Sequence, residues 1–182
     1  MPNIYLIRHG KAAAGWGESA DPGLSPIGQE QAEQASITMQ ARQVMPIITS
    51  PMARARETAV PLAKAWQCTP DVDPRFSEIP TPKQIPVSRK GWIDDILSSS
   101  WDTMAPVLQT WREDLLIAVQ SLQQDTVVFT HFIAINAIVG FALCDSRVMV
   151  FIPDNAAITS VQTQGSSIAL LRKGQEMSTL VG

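Results

Sequence analysis

Cysteine and histidine are scarce in this chain of 182 residues, with two of each. Cys68 and Cys144 match neither the spacing of a metal-ligand set nor a disulfide framework, and a chain of this size does not need a covalent staple. Reduced thiols in a cytoplasmic protein are the expectation, with no metal and no cofactor. Long apolar runs are also missing. The longest, residues 132–144, is bounded by His131 and Asp145, is too short to span a bilayer and reads as a buried helix. The run at residues 4–7 is closed by Arg8 and His9, far short of a signal-peptide hydrophobic region. Positive charge is not in excess either: 14 Lys and Arg against 17 Asp and Glu leave a net charge of -3. A basic stripe for nucleic acid or an anionic membrane is thereby excluded, so any anion must be bound locally.

What is present is core material. With 45% hydrophobic and 17% charged residues, the sequence can bury a full core, and its length suits one domain over residues 1–182. The apolar run at residues 4–7 ends in a polar, glycine-bearing segment, a strand followed by a loop. Ser25-Pro26 has the form of an N-cap with proline in the first helical position, opening a helix to about Arg42. The pattern repeats with a strand at 46–49 and a helix opened by Ser50-Pro51. Residues 72–76 read as a short strand. The proline-rich segment that follows, about 79–110, reads as an insertion over the active site. A helix over 103–122, a strand at 126–130 and the buried helix after His131 come next, and 148–152, 158–163 and 168–171 read as closing strands. This alternation predicts an α/β fold, three layers α/β/α around a mostly parallel sheet.

Both histidines fall directly after strands, where open α/β sheets bind ligands beyond the carboxyl ends. His9 and His131 are therefore expected to meet. Arg8 stands beside His9, and Arg54 lies in the first turn of the helix after Ser50-Pro51, where a guanidinium and a helix N-terminus both favour an anion. Two arginines and a protonated His131 match a phosphoryl group, and a neutral His9 can attack phosphorus as a nitrogen nucleophile.

These residues stand in blocks that resemble the histidine phosphatase superfamily, also called phosphoglycerate mutase-like. Arg8-His9-Gly10 is similar to its signature at the end of the first strand. Ser50-Pro51-Met52-Ala53-Arg54-Ala55-Arg56-Glu57-Thr58-Ala59 resembles its second block and assigns phosphate binding to Arg54, not Arg56. Asp21-Pro22-Gly23-Leu24-Ser25-Pro26-Ile27-Gly28 resembles the link into the first helix, the family's second histidine maps onto His131, and Asn155-Ala156-Ala157-Ile158-Thr159 resembles its late asparagine motif. Four blocks in order are far more specific than Arg-His-Gly alone. Arg75-Phe76-Ser77-Glu78-Ile79 resembles the segment that supplies the proton donor, which points to Glu78.

The resemblance implies a metal-independent phosphatase acting on small phosphorylated substrates. His9 is the catalytic nucleophile, Glu78 the acid and base, and Arg8, Arg54 and His131 hold the phosphoryl oxygens. Phosphohistidine-protein phosphatase is the main alternative, ahead of a mutase or a non-catalytic phospho-ligand module. Two positions depart from the family pattern. Phe132 stands where glycine usually follows the second histidine, and the loop from Lys11 to Gly17 lacks the asparagine that many relatives place after Arg-His-Gly, with Lys11 expected to be a solvated side chain and not its substitute. Trp16, Trp92 and Trp101 belong to segments expected near the site, and Arg89-Lys90 is a second basic pair in the insertion.

Overall fold

The computed structural model describes residues 1–15, 19–82 and 88–177, with only the backbone of Arg89. Trp16 lies outside the described residues. The elements in order are β1 (Asn3–Arg8), α1 (Pro26–Gln40), β2 (Ile47–Thr49), α2 (Ala53–Trp66), β3 (Asp71–Val72), α3 (Arg89–Leu97), α4 (Pro106–Gln120), β4 (Thr126–Thr130), α5 (Phe132–Leu143), β5 (Ile158–Gln164) and β6 (Ser167–Arg172). Their strands form one six-stranded sheet in the order β3-β2-β4-β1-β5-β6. The first four are mutually parallel, and β5 and β6 complete the sheet antiparallel.

The parallel strands are buried on both faces, so they read as continuous apolar runs. Ile4 and Leu6 of β1 and Val128 of β4 face a core built with α4 and α5. Tyr5, Ile7, Val127 and Phe129 point to the other face, against Ala35 and Met39 of α1 and Leu62 of α2. The period-2 alternation of the strands therefore divides the molecule into three layers, α/β/α. α5 is apolar all round because it is enclosed all round: every residue from Phe132 to Gly140 is buried. Among the described residues no helix is long and apolar enough to cross a membrane.

Three local expectations need correction. Residues 72–76 contribute only the end of the two-residue β3, and Pro74–Phe76 turn into a 3-10 helix capped by Asp73. Residues 148–152 are not a strand. Their backbone is held by a side chain, since the Asn136 carbonyl oxygen accepts from the N–H groups of Val150 and Phe151 at 2.8 and 3.0 Å. The second Ser-Pro does not cap α2, which begins at Ala53 after Met52, whose side chain makes no capping bond.

Candidate active site

Strand register alone brings the site together. Arg8 of β1 pairs with Thr130 of β4, and Thr49 of β2 pairs with Phe129 of β4. The next residues, His9, His131 and Ser50, thus leave three neighbouring strands at one edge of the sheet. Backbone bonds continue the ladder one step further: His9 N–H to Thr130 O and Ser50 N–H to Phe129 O, both 3.0 Å. Thr130 Oγ1 donates to Phe76 O at 2.7 Å and fixes the segment carrying Glu78 to the same edge.

His9 is 8% exposed, and its ring centroid lies 5.2 Å from that of His131. Its Nδ1 lies 2.7 Å from Gly10 O. A carbonyl only accepts, so Nδ1 carries the hydrogen and Nε2 keeps its lone pair. Arg54 Nε donates to that Nε2 at 3.1 Å. Burial, and then the charges of Arg54 and Arg8, hold the imidazole well below the ordinary histidine range, so it is neutral near pH 7. The carbonyl of His9 is itself tied down, accepting from Asn155 Nδ2 at 3.2 Å.

His131 is fully buried, with Nε2 2.7 Å from Ser50 Oγ and no partner on Nδ1. Burial and the nearby His9, Arg54 and Arg8 push it, too, well below the usual range. In the free site, desolvation and two neighbouring cations disfavour a third charge on His131. Arg8 donates to Pro153 O at 2.7 Å and lies 5.1 Å over the ring of Phe132, leaving its buried Nε unpartnered. Burial lowers Arg8 to about 10, which keeps it cationic at neutral pH. Phe132 therefore faces inward as a platform for the guanidinium. Buried polar atoms without partners are costly, and Arg8 Nε and His131 Nδ1 are two such atoms among the described residues.

Glu78, 8% exposed, accepts from Ile79 N–H at 3.0 Å and from Ile133 N–H, in the first turn of α5, at 3.2 Å. Burial raises its pKa against the opposing pull of those two amides, Arg54 and Arg8. His9, Arg54 and Glu78 line one cleft of about 320 Å³, walled by Ala12, Met52 and Ile79 among others. A larger groove, about 800 Å³, opens between α1 and the segment after Asp154, but neither histidine lines it. Chemistry, not size, marks the smaller cleft as the site.

Arg54 and Arg56 separate as expected: the Arg54 side chain is 11% exposed, whereas Arg56 is an exposed residue. Asp21 was missed by sequence reasoning. Its carboxylate accepts from Ala53 N–H at 3.0 Å and lies 3.8 Å from Arg54, so an acid already occupies the N-terminus of α2. Ser50 was also missed as a partner of His131, its Ser-Pro context being taken for a helix cap. Trp101 does not wall the cleft; it is 2% exposed in the core and stacks on Trp111 at 6.0 Å. Trp92 packs against the same core. Lys11 is exposed and contributes its backbone, with N–H to Gln31 Oε1 at 2.8 Å. Lys90 pairs with Asp94 at 2.9 Å on the surface of α3. Among the described residues no three His, Cys, Asp or Glu side chains are gathered as a metal site.

Comparison with known proteins places this geometry. Residues 4–83 match the model of the histidine phosphatase superfamily (branch 1). The chain is 33% identical over 86 residues to a probable phosphoglycerate mutase GpmB of Proteus mirabilis, covering 43% of this chain and 39% of the relative. It is 28% identical over 120 residues to the Serratia proteamaculans protein of that name, covering 64% and 50%. The chain thus spans half or less of the length of these curated relatives. Among solved structures, Bacillus stearothermophilus YhfR superposes with a TM-score of 0.79 at 19% identity over 98% of both chains. A phosphoserine phosphatase of Entamoeba histolytica gives 0.74 at 20% identity over 95% of this chain and 96% of that one. A mycobacterial glucosyl-3-phosphoglycerate phosphatase gives 0.72 at 20% over 93% and 97%. At such identities these structures carry the fold alone. Residues 4–83, which carry Arg8 and contribute His9, Arg54 and Glu78 to one cleft, thus match the histidine phosphatase superfamily, and the fold is shared with solved structures over nearly the whole chain.

Proposed function

We propose that this protein is a phosphatase that hydrolyses small phosphomonoesters through a phosphohistidine on His9, without a metal ion. One observation carries the reading: His9 Nδ1 lies on Gly10 O, which leaves its Nε2 to meet Arg54 in the cleft shared with a buried carboxyl group. A neutral, oriented imidazole is the form of histidine that attacks phosphorus.

The substrate's phosphoryl oxygens take the donors of Arg54, Arg8 and His131, and Arg54 Nε exchanges His9 Nε2 for an oxygen. His9 Nε2 then forms the bond to phosphorus while the bond to the ester oxygen breaks. Glu78, whose pKa burial raises, gives its proton to that departing oxygen. In the second half, water adds to phosphorus, its proton passes to the Glu78 carboxylate, and the P–N bond breaks. Inorganic phosphate leaves, with Glu78 again protonated and His9 again neutral. The Gly10 carbonyl keeps the Nδ1 hydrogen throughout and stabilises the positive ring of the intermediate.

The names of the curated relatives favour a second reading, transfer of the phosphoryl group to another hydroxyl of a phosphoglycerate-like substrate. One experiment separates the two. Incubation with 3-phosphoglycerate, phosphoserine and p-nitrophenyl phosphate is expected to release inorganic phosphate in amounts matching substrate lost. Isomerised phosphoester without phosphate release would establish the mutase.

A further inference from the structure

Neutral imidazole has one N–H, so a histidine that must donate to an anion depends on which nitrogen carries it. For His9 a carbonyl settles the matter. For His131 the neighbour is a hydroxyl, which both donates and accepts, and the surroundings decide. Ser50 Oγ is fully buried and already accepts from Met52 N–H at 3.2 Å. Its only other partner among the described residues is His131 Nε2, at 2.7 Å. Were Nε2 protonated, the serine oxygen would receive two N–H groups and bury its own hydrogen without an acceptor, a costly arrangement. The other nitrogen, Nδ1, would then carry a bare lone pair toward phosphoryl oxygens. With the hydroxyl donating to Nε2, every group is satisfied except Nδ1–H, the donor an anion needs.

We propose that Ser50 is a positioning residue that holds His131 as its Nδ1–H tautomer, so that the ring offers the phosphoryl group a hydrogen bond without carrying charge. The tautomer itself is independent of any activity; its use in phosphate binding rests on the phosphatase reading. Ser50 does this from a rigid place. Its N–H extends the β2–β4 ladder to Phe129 O at 3.0 Å, two residues before His131. The two histidines are thus locked in the same tautomer for opposite ends: His9 presents a lone pair at Nε2, and His131 presents a hydrogen at Nδ1.

Because the chain has only two histidines, nitrogen NMR of the whole protein labelled with 15N-histidine shows four ring nitrogens. In the free wild type near pH 7, both rings are expected to show a protonated Nδ1 and an unprotonated Nε2. A His131 ring protonated at Nε2 overturns the proposal without any variant. In Ser50→Ala, His131 is expected to lose its single tautomer while the His9 signals stay in place, and orthovanadate affinity is expected to fall by about tenfold, the worth of one hydrogen bond to a charged group. Ser50→Thr, which keeps the hydroxyl, is expected to restore both. If Ser50→Ala keeps the Nδ1–H tautomer and full vanadate affinity, Ser50 positions nothing. If the variant unfolds, the His9 signals collapse with those of His131 and the wild-type spectrum alone decides. Absence of phosphatase turnover in the wild type would sink the phosphatase reading, yet the tautomer assignment would still stand or fall by the spectrum.

Discussion

Arg54 and Arg56 are two residues apart on α2, and helical geometry sends them to different faces: Arg54 into the cleft to His9, Arg56 into solvent. Arg54→Ala is expected to lower kcat/KM by about a hundredfold or more, the usual cost of one donor to a developing phosphoryl charge. Arg56→Ala is expected to change it by no more than about twofold, as for a surface position. Equal losses in steady-state assays would mean that the cradle is built otherwise. Glu78 is tested by the leaving group. An alkoxide needs a proton as it departs and an activated phenolate does not, so Glu78→Gln is expected to slow phosphoenzyme formation from alkyl phosphates by about a hundredfold, with little effect on p-nitrophenyl phosphate in a rapid burst. Equal slowing of both substrates would make Glu78 only the cap of α5 that its bond to Ile133 N–H already makes it. At this scale the sequence was legible where a residue's role follows from its strand-end position. It was not legible where the role is a contact: Ser50 to His131, Asp21 at the start of α2, or Arg8 on Phe132.

Elements explain which of the readings failed. Ser25-Pro26 opens α1 as expected, Ser25 Oγ accepting from Gly28 N–H at 3.1 Å. Ser50-Pro51 offers the same pair of residues but spends its hydroxyl on a histidine, and α2 starts later. The segment 148–152 has strand composition without a strand, because Asn136 on buried α5 takes its N–H groups and tertiary context overrides propensity. Helix α3 went unseen within a proline-rich, weakly periodic stretch. The docking of α1 onto the loop after β1 depends on bare backbone meeting bare backbone. A Cβ on Gly28 would lie 2.1 Å from Lys11 O, and one on Gly10 would lie 2.4 Å from Gly28 O. Gly28→Ala is therefore expected to cost about 1–3 kcal/mol in denaturant unfolding through overpacking and to displace His9 enough to lower turnover sharply. Ser25→Ala, which removes the cap and the hydroxyl's 3.0 Å bond to Lys11 O but adds no atom between the two backbones, is expected to cost about 1 kcal/mol and spare turnover. If Gly28→Ala proves as mild as Ser25→Ala in both respects, the loop is not held by this contact.

The whole molecule carries the cost of burying two neutral histidines beside two arginines. Two histidines whose folded pKa values lie well below the ordinary range bind fewer protons when folded than when unfolded. Stability is then expected to rise with pH from about 5 to about 7 and level off above, each histidine contributing a slope of up to about 1.4 kcal/mol per pH unit. Glu78, raised by burial, acts in the opposite sense toward the acid end of this window, since its folded form keeps a proton that the unfolded chain releases. Urea unfolding midpoints across this range, in wild type and His131→Asn, check the assignment. A wild-type profile that is flat or falls with pH would mean that the buried rings are not held neutral. The three layers and mostly parallel sheet were legible from alternating elements, because period and burial act over whole segments. The membership of Trp101 in the core was not, because aromatic side chains in an insertion serve equally to wall a cleft or fill a core.

The expectations about activity depend on where the phosphoryl group goes. Wild-type protein mixed briefly with a 32P-labelled phosphomonoester and quenched in base is expected to retain label that is stable to alkali, released by acid, and located by peptide mapping on His9. The same treatment of His9→Ala is expected to leave the protein unlabelled, while EDTA leaves wild-type labelling unchanged. Label that survives in His9→Ala, or that maps to His131 or to a carboxylate, would contradict the account.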